Sequence, residues 1–154
     1  MSTEVFTVTL GKEYGYVLLT AITMQIQMIL TGAAIGSQRK KHGVKYPDMG
    51  SGRHAAKLTE AAWTEFNNYQ RAHYNYVENI TPVTVLLLTG GLFYPLVSAG
   101  LGVTYIVGRY VYSTGYTSSG ANGRGIGAGI LHIGDIGLLG VSVYGILHKV
   151  LGLF

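Results

Sequence analysis

The sequence contains no cysteine. A disulfide framework and a thiolate metal site are thereby excluded, and the redox compartment leaves no trace in it. Charge is also scarce. Asp, Glu, Lys and Arg make up 12% of the 154 residues, against 48% hydrophobic residues, and that charge is about half the share usual in a soluble domain. So little charge cannot clothe a water-exposed surface of this size, which points to lipid as the solvent. Short segments of regular apolar–polar alternation are missing too, so a β-barrel is excluded. The histidines are scattered without close ligand spacing, so no metal site is expected. The run Gly123-Arg124-Gly125-Ile126-Gly127 follows no strand and is not a phosphate loop. No Ser-His-Asp arrangement and no internal repeat is visible.

What the chain does have is long uncharged runs. Gly15 to Gln38 is free of formal charge for 24 residues, longer than a hydrocarbon core of about 30 Å requires. The N-terminal MSTEVFTVTL has no basic start and no cleavage signal, so this run is read as a retained membrane helix. Asn79 to Gly108 is a second uncharged run of 30 residues, too long for one crossing. Gly90-Gly91-Leu92-Phe93-Tyr94-Pro95 makes a natural turn inside it. The expected architecture is an all-α membrane protein, a bundle of four transmembrane helices in one domain over residues 1–154. The helices are expected at about 14–38, 65–92, 96–116 and 126–150, with a Ser/Gly/Asn-rich loop from Thr117 to Gly125. The last helix is rich in glycine, which lets helix backbones approach closely in lipid.

The net charge of +4 lies mainly between the hydrophobic blocks. Arg39, Lys40, Lys41, Lys45, Arg53 and Lys57 follow the first helix, and Arg124 precedes the fourth; the opposite side holds only Lys12 and Lys149. Four spans then put both basic loops at the cytoplasmic face. This placement suits anionic headgroups or an acidic ligand, and no nucleic-acid partner is expected.

Two groups of polar residues sit where a membrane helix should be apolar. Arg71, Asn75 and Glu78 are spaced i, i+4, i+7 and share one helix face. Tyr105, Arg109, Tyr112 and Tyr116 are spaced by 4, 3 and 4 and form one stripe. Ionisable residues inside a span are costly unless they face a cavity or a partner. For the first group an ion pair near the interface is the plain alternative, and for the second an aromatic belt. A belt accounts for Tyr116 but poorly for Arg109; a wall of phenols and guanidinium suits an anionic ligand. Arg39, Lys40 and Arg124 lie at the same membrane face and have topology as their plain alternative. Gln25 and Gln27 are placed to hydrogen-bond across helices, and His132 and Asp135 to pair on helix four.

The run Phe66-Asn67-Asn68-Tyr69-Gln70-Arg71-Ala72-His73-Tyr74-Asn75, followed by Glu78, resembles the signature of the superfamily of membrane-associated proteins in eicosanoid and glutathione metabolism (MAPEG). Lys12 to Thr20, Lys45-Tyr46-Pro47, Gly100-Leu101-Gly102, Val107-Gly108-Arg109 and Gly115-Tyr116 are similar to its microsomal glutathione S-transferase 3 branch. The resemblance implies a homotrimer with glutathione, a co-substrate rather than a resident cofactor, bound at each subunit interface. It implies conjugation of glutathione to lipophilic electrophiles and reduction of lipid hydroperoxides, in the endoplasmic reticulum membrane with the site facing the cytoplasm. Carried over by position, Arg39, Arg71, His73, Asn75, Glu78, Tyr112 and Tyr116 would bind glutathione. Arg124 would stabilise the thiolate with Tyr116 beside it, and Arg109 would support the ligand-contacting residues. Asn79 stands where leukotriene-forming relatives have an aromatic residue, and Ser51 to Thr64 is longer than in the family. A lipid-binding accessory protein on the same scaffold is the alternative; a small channel along Arg109, Asp135 and Glu78 ranks below both.

Overall fold

The computed structural model describes residues 5–154; the first four residues of the N-terminal stretch considered above lie outside it. The described chain is helical. Helix α1 spans Tyr14–His42, α2 Glu60–Phe93, α3 Pro95–Gly123 and α4 Gly125–Gly145, and a π turn over Ile146–Val150 prolongs α4. Three of these helices are long and apolar enough to cross a membrane: α1, α2, and α4 with its extension. Helix α3 is long, but Arg109, its tyrosines and its Ser/Thr residues dilute its hydropathy.

The ends of the helices follow from local chemistry. Gly43 closes α1 in the left-handed conformation (φ 65°), with its N–H on the Arg39 carbonyl, a conformation that glycine adopts without strain. Thr59 caps α2 by accepting from the Ala62 N–H. Pro95 opens α3 at a position where its missing N–H costs nothing.

Three boundaries differ from the sequence expectation. Helix α1 runs on to His42, past the expected end near residue 38. Helix α2 begins at Glu60, not near residue 65. The Ser/Gly/Asn-rich stretch after Tyr116 is not an open loop but a continuation of α3, broken only at Gly120 (φ 69°). Its hydroxyls explain the helix. Thr117 donates to the Ser113 carbonyl at 2.9 Å and Ser118 to that of Gly115 at 3.3 Å, so the side chains attach to their own helix instead of competing with it.

The core is formed by Val17 and Met24 of α1, Tyr76 and Leu87 of α2, Tyr105 of α3 and Leu138 of α4, all fully buried. Leu18, Leu19, Ile22, Ile26, Ile29 and Leu30 of α1 are exposed instead, an apolar exterior that suits lipid. Helices α3 and α4 approach closest. A Cβ at Gly108 would come within 2.3 Å of the Leu131 nitrogen, and one at Gly127 within 2.1 Å of the Tyr112 nitrogen. Glycine is therefore required on both sides of this contact. Gly108→Ala or Gly127→Ala should force the helices apart and lower stability by roughly 1–3 kcal/mol. Gly129→Ala, where a Cβ would meet nothing within 4 Å, should be neutral. Thermal unfolding of the three variants in detergent separates these outcomes.

The connection between α1 and α2 is built around one carboxylate. Asp48 Oδ1 accepts from the Gly50 and Gly52 N–H groups at 2.9 and 2.8 Å, and Oδ2 from those of His54 and Ala55, both at 2.8 Å. These donors hold the Asp48 carboxyl well below the usual carboxylate range. The Ala55 N–H contributes most, desolvation opposes it, and Gly50, Gly52 and His54 add to the fall. Trp63 at the start of α2 donates from Nε1 to the Gly50 carbonyl at 2.8 Å. Much of the long segment after Ser51 is thus this self-bonded turn and the first residues of α2. Because the folded pKa is depressed, the stabilisation is complete above the ordinary value of about 3.9 and is lost as the pH falls from there toward the depressed one. Amide exchange at Gly50, Gly52, His54 and Ala55 should accelerate over that range, and in Asp48→Asn should be fast already at neutral pH.

Candidate functional site

The most demanding residue in the bundle is Arg109. It is 1% exposed, and among the described residues no carboxylate lies within ion-pair distance of it. Its Nε donates to the Tyr105 hydroxyl at 2.8 Å, Nη1 to Asn75 Oδ1 at 2.6 Å, and Nη2 to the Asn75 carbonyl at 3.3 Å. The rings of Tyr76, Tyr105 and Tyr112 surround its guanidinium carbon at 4.8, 5.0 and 5.6 Å. A guanidinium is held here by neutral oxygens and aromatic faces. Its charge is therefore not cancelled.

Tyr76 extends the network to α1. Its hydroxyl contacts the Met24 carbonyl at 3.1 Å and Gln27 Oε1 at 2.8 Å, while Gln27 Nε2 donates to the Ile106 carbonyl of α3 at 3.0 Å. Gln25 bonds Thr84 of α2 at 3.2 Å. Both glutamines bridge helices, as their position suggested.

The second cation stands at the junction of α3 and α4. Arg124 Nη1 donates to the Tyr112 hydroxyl at 3.2 Å. Its guanidinium carbon lies 5.9 Å from the ring centres of both Tyr112 and Tyr116, and those rings are 5.8 Å apart. The α3 terminus makes this possible by folding tightly. A Cβ at Gly115 would come within 2.1 Å of the Gly123 carbonyl oxygen, so the turn brings Arg124 back over α3. Tyr112 thus touches both cations. Arg71 and Glu78 share the face of α2 that carries Asn75. Both side chains are exposed, and among the described residues neither has an ion-pair partner.

Two candidates do not join this group within one chain. His73 faces the other way on α2 and bonds Thr31 of α1 through Nδ1 at 2.8 Å. Arg39 does not reach outward from the end of α1. It is buried in the connection, where Nη1 donates to the carbonyls of Asp48 at 2.6 Å and Val44 at 3.3 Å, and Nη2 to Met49 Sδ at 3.0 Å. The Tyr46 ring covers it at 4.1 Å. Tyr76, beside Asn75 in the sequence, belongs to the site and was not singled out; only its adjacency to the motif pointed to it. Among the described residues no three His, Asp or Glu side chains gather in a metal-ligating group.

Two cations, Arg109 and Arg124, thus meet at Tyr112, with Tyr116 alongside and Asn75 tying the group to α2. The profile of the MAPEG family matches residues 17–144, most of the chain. The protein belongs to the MAPEG family. This family includes glutathione transferases, peroxidases, leukotriene-forming enzymes and non-catalytic members, and its members generally bind glutathione and lipophilic substrates. For this MAPEG protein, the Asn75–Arg109 contact can be tested directly. Asn75→Leu strands a buried charged donor, which should cost roughly 1–3 kcal/mol in thermal unfolding. Tyr105→Phe leaves Nε of the same guanidinium without its acceptor and should cost a similar amount.

Proposed function

We propose that the chain is a membrane-bound glutathione transferase of the microsomal glutathione S-transferase 3 type. In this reading it conjugates the glutathione thiolate to lipophilic electrophiles and reduces lipid hydroperoxides with glutathione. The observation that carries the proposal is the convergence of Arg124, Tyr112 and Tyr116 beside the caged Arg109. Glutathione carries two carboxylates, one ammonium and a thiol. Two accessible cations and one carboxylate complement that pattern: Arg71 and Arg124 suit the carboxylates and thiolate, Glu78 suits the ammonium, and the buried Arg109 supports them with its uncancelled charge.

The chemistry follows from the thiol. Free thiols have a pKa of about 8.5 and are mostly protonated at neutral pH, whereas the thiolate is the nucleophile. A guanidinium beside the sulfur favours the anion, and a shift of one pKa unit corresponds to ~1.4 kcal/mol. Arg124 is suited to this because it keeps its proton, and the Tyr112 hydroxyl holds it in place. Tyr116 lies against the same guanidinium and offers a phenolic donor to sulfur. The electrophile is then attacked by sulfur, and the bond to its leaving group breaks, or the addition product takes up a proton from solvent. With a hydroperoxide, sulfur attacks the terminal oxygen and the O–O bond breaks. The products are the lipid alcohol and a sulfenic acid, which a second glutathione converts to the disulfide and water.

In the same proposal all four helices cross the membrane and the chain forms one domain. Three copies assemble with glutathione between them; His73, on the opposite side of α2, is left for an adjoining copy, while Arg39 stays held in its own connection. The basic connections face the cytoplasm of an endoplasmic reticulum membrane, so glutathione arrives from water and the acceptor from lipid.

Purified protein in detergent should form thioethers with a panel of electrophiles and reduce a lipid hydroperoxide in the presence of glutathione. Arg124→Ala should lower the neutral-pH rate about tenfold or more and move the alkaline rise of the pH–rate profile upward. An unchanged profile removes Arg124 from the mechanism. Glutathione binding without turnover of any acceptor would instead point to a lipid-binding accessory protein.

A further inference from the structure

An ionisable pair on α4 lies outside the wall described above. His132 and Asp135 are three residues apart on α4, and His132 Nδ1 lies 3.0 Å from Asp135 Oδ2 and 3.3 Å from Oδ1. The His132 side chain is 59% exposed and that of Asp135 17%. Their surroundings on the outer side of α4 are apolar or empty. Ile133, Ile136 and Leu139 are exposed there, and a Cβ at Gly129 or Gly140 would meet nothing within 4 Å. An imidazole on this surface, about 10 Å along the helix from Gly125 at 1.5 Å per residue, is too short to reach the water layer as a lysine does.

The packing of α3 on α4 sets the depth of the pair. Gly108 abuts Leu131, Gly134 abuts Tyr105, and Gly127 abuts Tyr112. His132 therefore stands level with Val107, next to Gly108. It lies about 7–8 Å along the axis from the level of the Tyr112 contact, where Arg124 also binds. The pair and that contact thus differ in depth by less than the length of one lipid tail.

The hydrogen bond decides what His132 recognises. A carboxylate only accepts hydrogen bonds. Asp135 accordingly keeps the imidazole proton on Nδ1 and leaves Nε2 as an acceptor. In hydrocarbon an unmet acceptor is costly, and the group that meets it is an O–H donor. We propose that the His132–Asp135 pair is a recognition site for the hydroxyl or hydroperoxyl group of a membrane-dissolved lipid. Its tail follows Ile133, Ile136 and Leu139. Recognition of the O–H group stands on the pair alone; its use to choose co-substrates rests on the glutathione transferase reading above. Ketones, ethers and aryl halides have no O–H to offer and gain nothing from the pair.

The test uses the full chain in detergent and two unreactive probes, a hydroxy fatty-acid methyl ester and the matching keto ester, in equilibrium binding. The wild type should favour the hydroxy ester about tenfold, the worth of one hydrogen bond. His132→Ala and the bulkier His132→Phe should abolish the preference, and Asp135→Leu, which frees the tautomer, should weaken it. No preference in the wild type, or an undiminished one in both His132 variants, overturns the proposal. A change of oligomeric mass in these variants with lipid preference intact likewise overturns it, and assigns the pair to a contact between copies. In turnover, the ratio of lipid hydroperoxide reduction to aryl halide conjugation should fall about tenfold in His132→Ala; an unchanged ratio refutes the catalytic use. A wild type that favours the hydroxy ester but turns over neither substrate contradicts the transferase reading and leaves the recognition site standing.

Discussion

A full positive charge inside an apolar bundle must be met by something, and among the described residues no carboxylate meets Arg109. The neutral groups that do so come from α2 and α3: the Asn75 side chain and carbonyl, the Tyr105 hydroxyl and three aromatic faces. Because Tyr76 also binds Met24 and Gln27, the requirement of one guanidinium fixes the relative placement of three helices. The residues that solvate Arg109 are also those that order the site. A carboxylate in their place would have neutralised the charge. Neutral partners instead preserve a positive potential near Tyr112.

Helix α4 is held by a different principle. It makes its closest approach to α3 through glycines, with backbone against backbone at Gly108, Gly127 and Gly134. In lipid, where hydrophobic burial gives no drive for helices to associate, close van der Waals contact of this kind is a principal attraction. It leaves little freedom for α4 to slide. Arg124, at the head of α4, is consequently delivered to the two phenols of α3 with the register already set.

The parts of this arrangement that were legible in the sequence are those carried by local spacing. Four helices follow from uncharged runs and the Tyr94-Pro95 turn. The stripes Arg71-Asn75-Glu78 and Tyr105-Arg109-Tyr112-Tyr116 follow from helical periodicity, because residues three and four apart share a face. What was not legible depends on partners far along the chain or on a choice that composition leaves open. Arg39 looks like a free cation until Asp48 and Met49 fold over it. His73 lies between two site residues in the sequence but 200° around the helix from Arg71, at 100° per residue, so its partner is Thr31 of α1. Serine, threonine and glycine after Tyr116 suggest a loop in water; here their hydroxyls bond back to the helix. Helix α3 carries so much of the polar machinery that its composition alone does not identify it as a crossing segment.

The connection around Asp48 brings its own anion to a concave set of backbone N–H groups, which in many proteins would be left for a phosphate. It needs neither salt nor a lipid headgroup to complete it. The elbow between α1 and α2 should therefore keep its shape in membranes of differing surface charge, and a change in bilayer composition should reach the protein through its lipid-facing helices rather than through this segment.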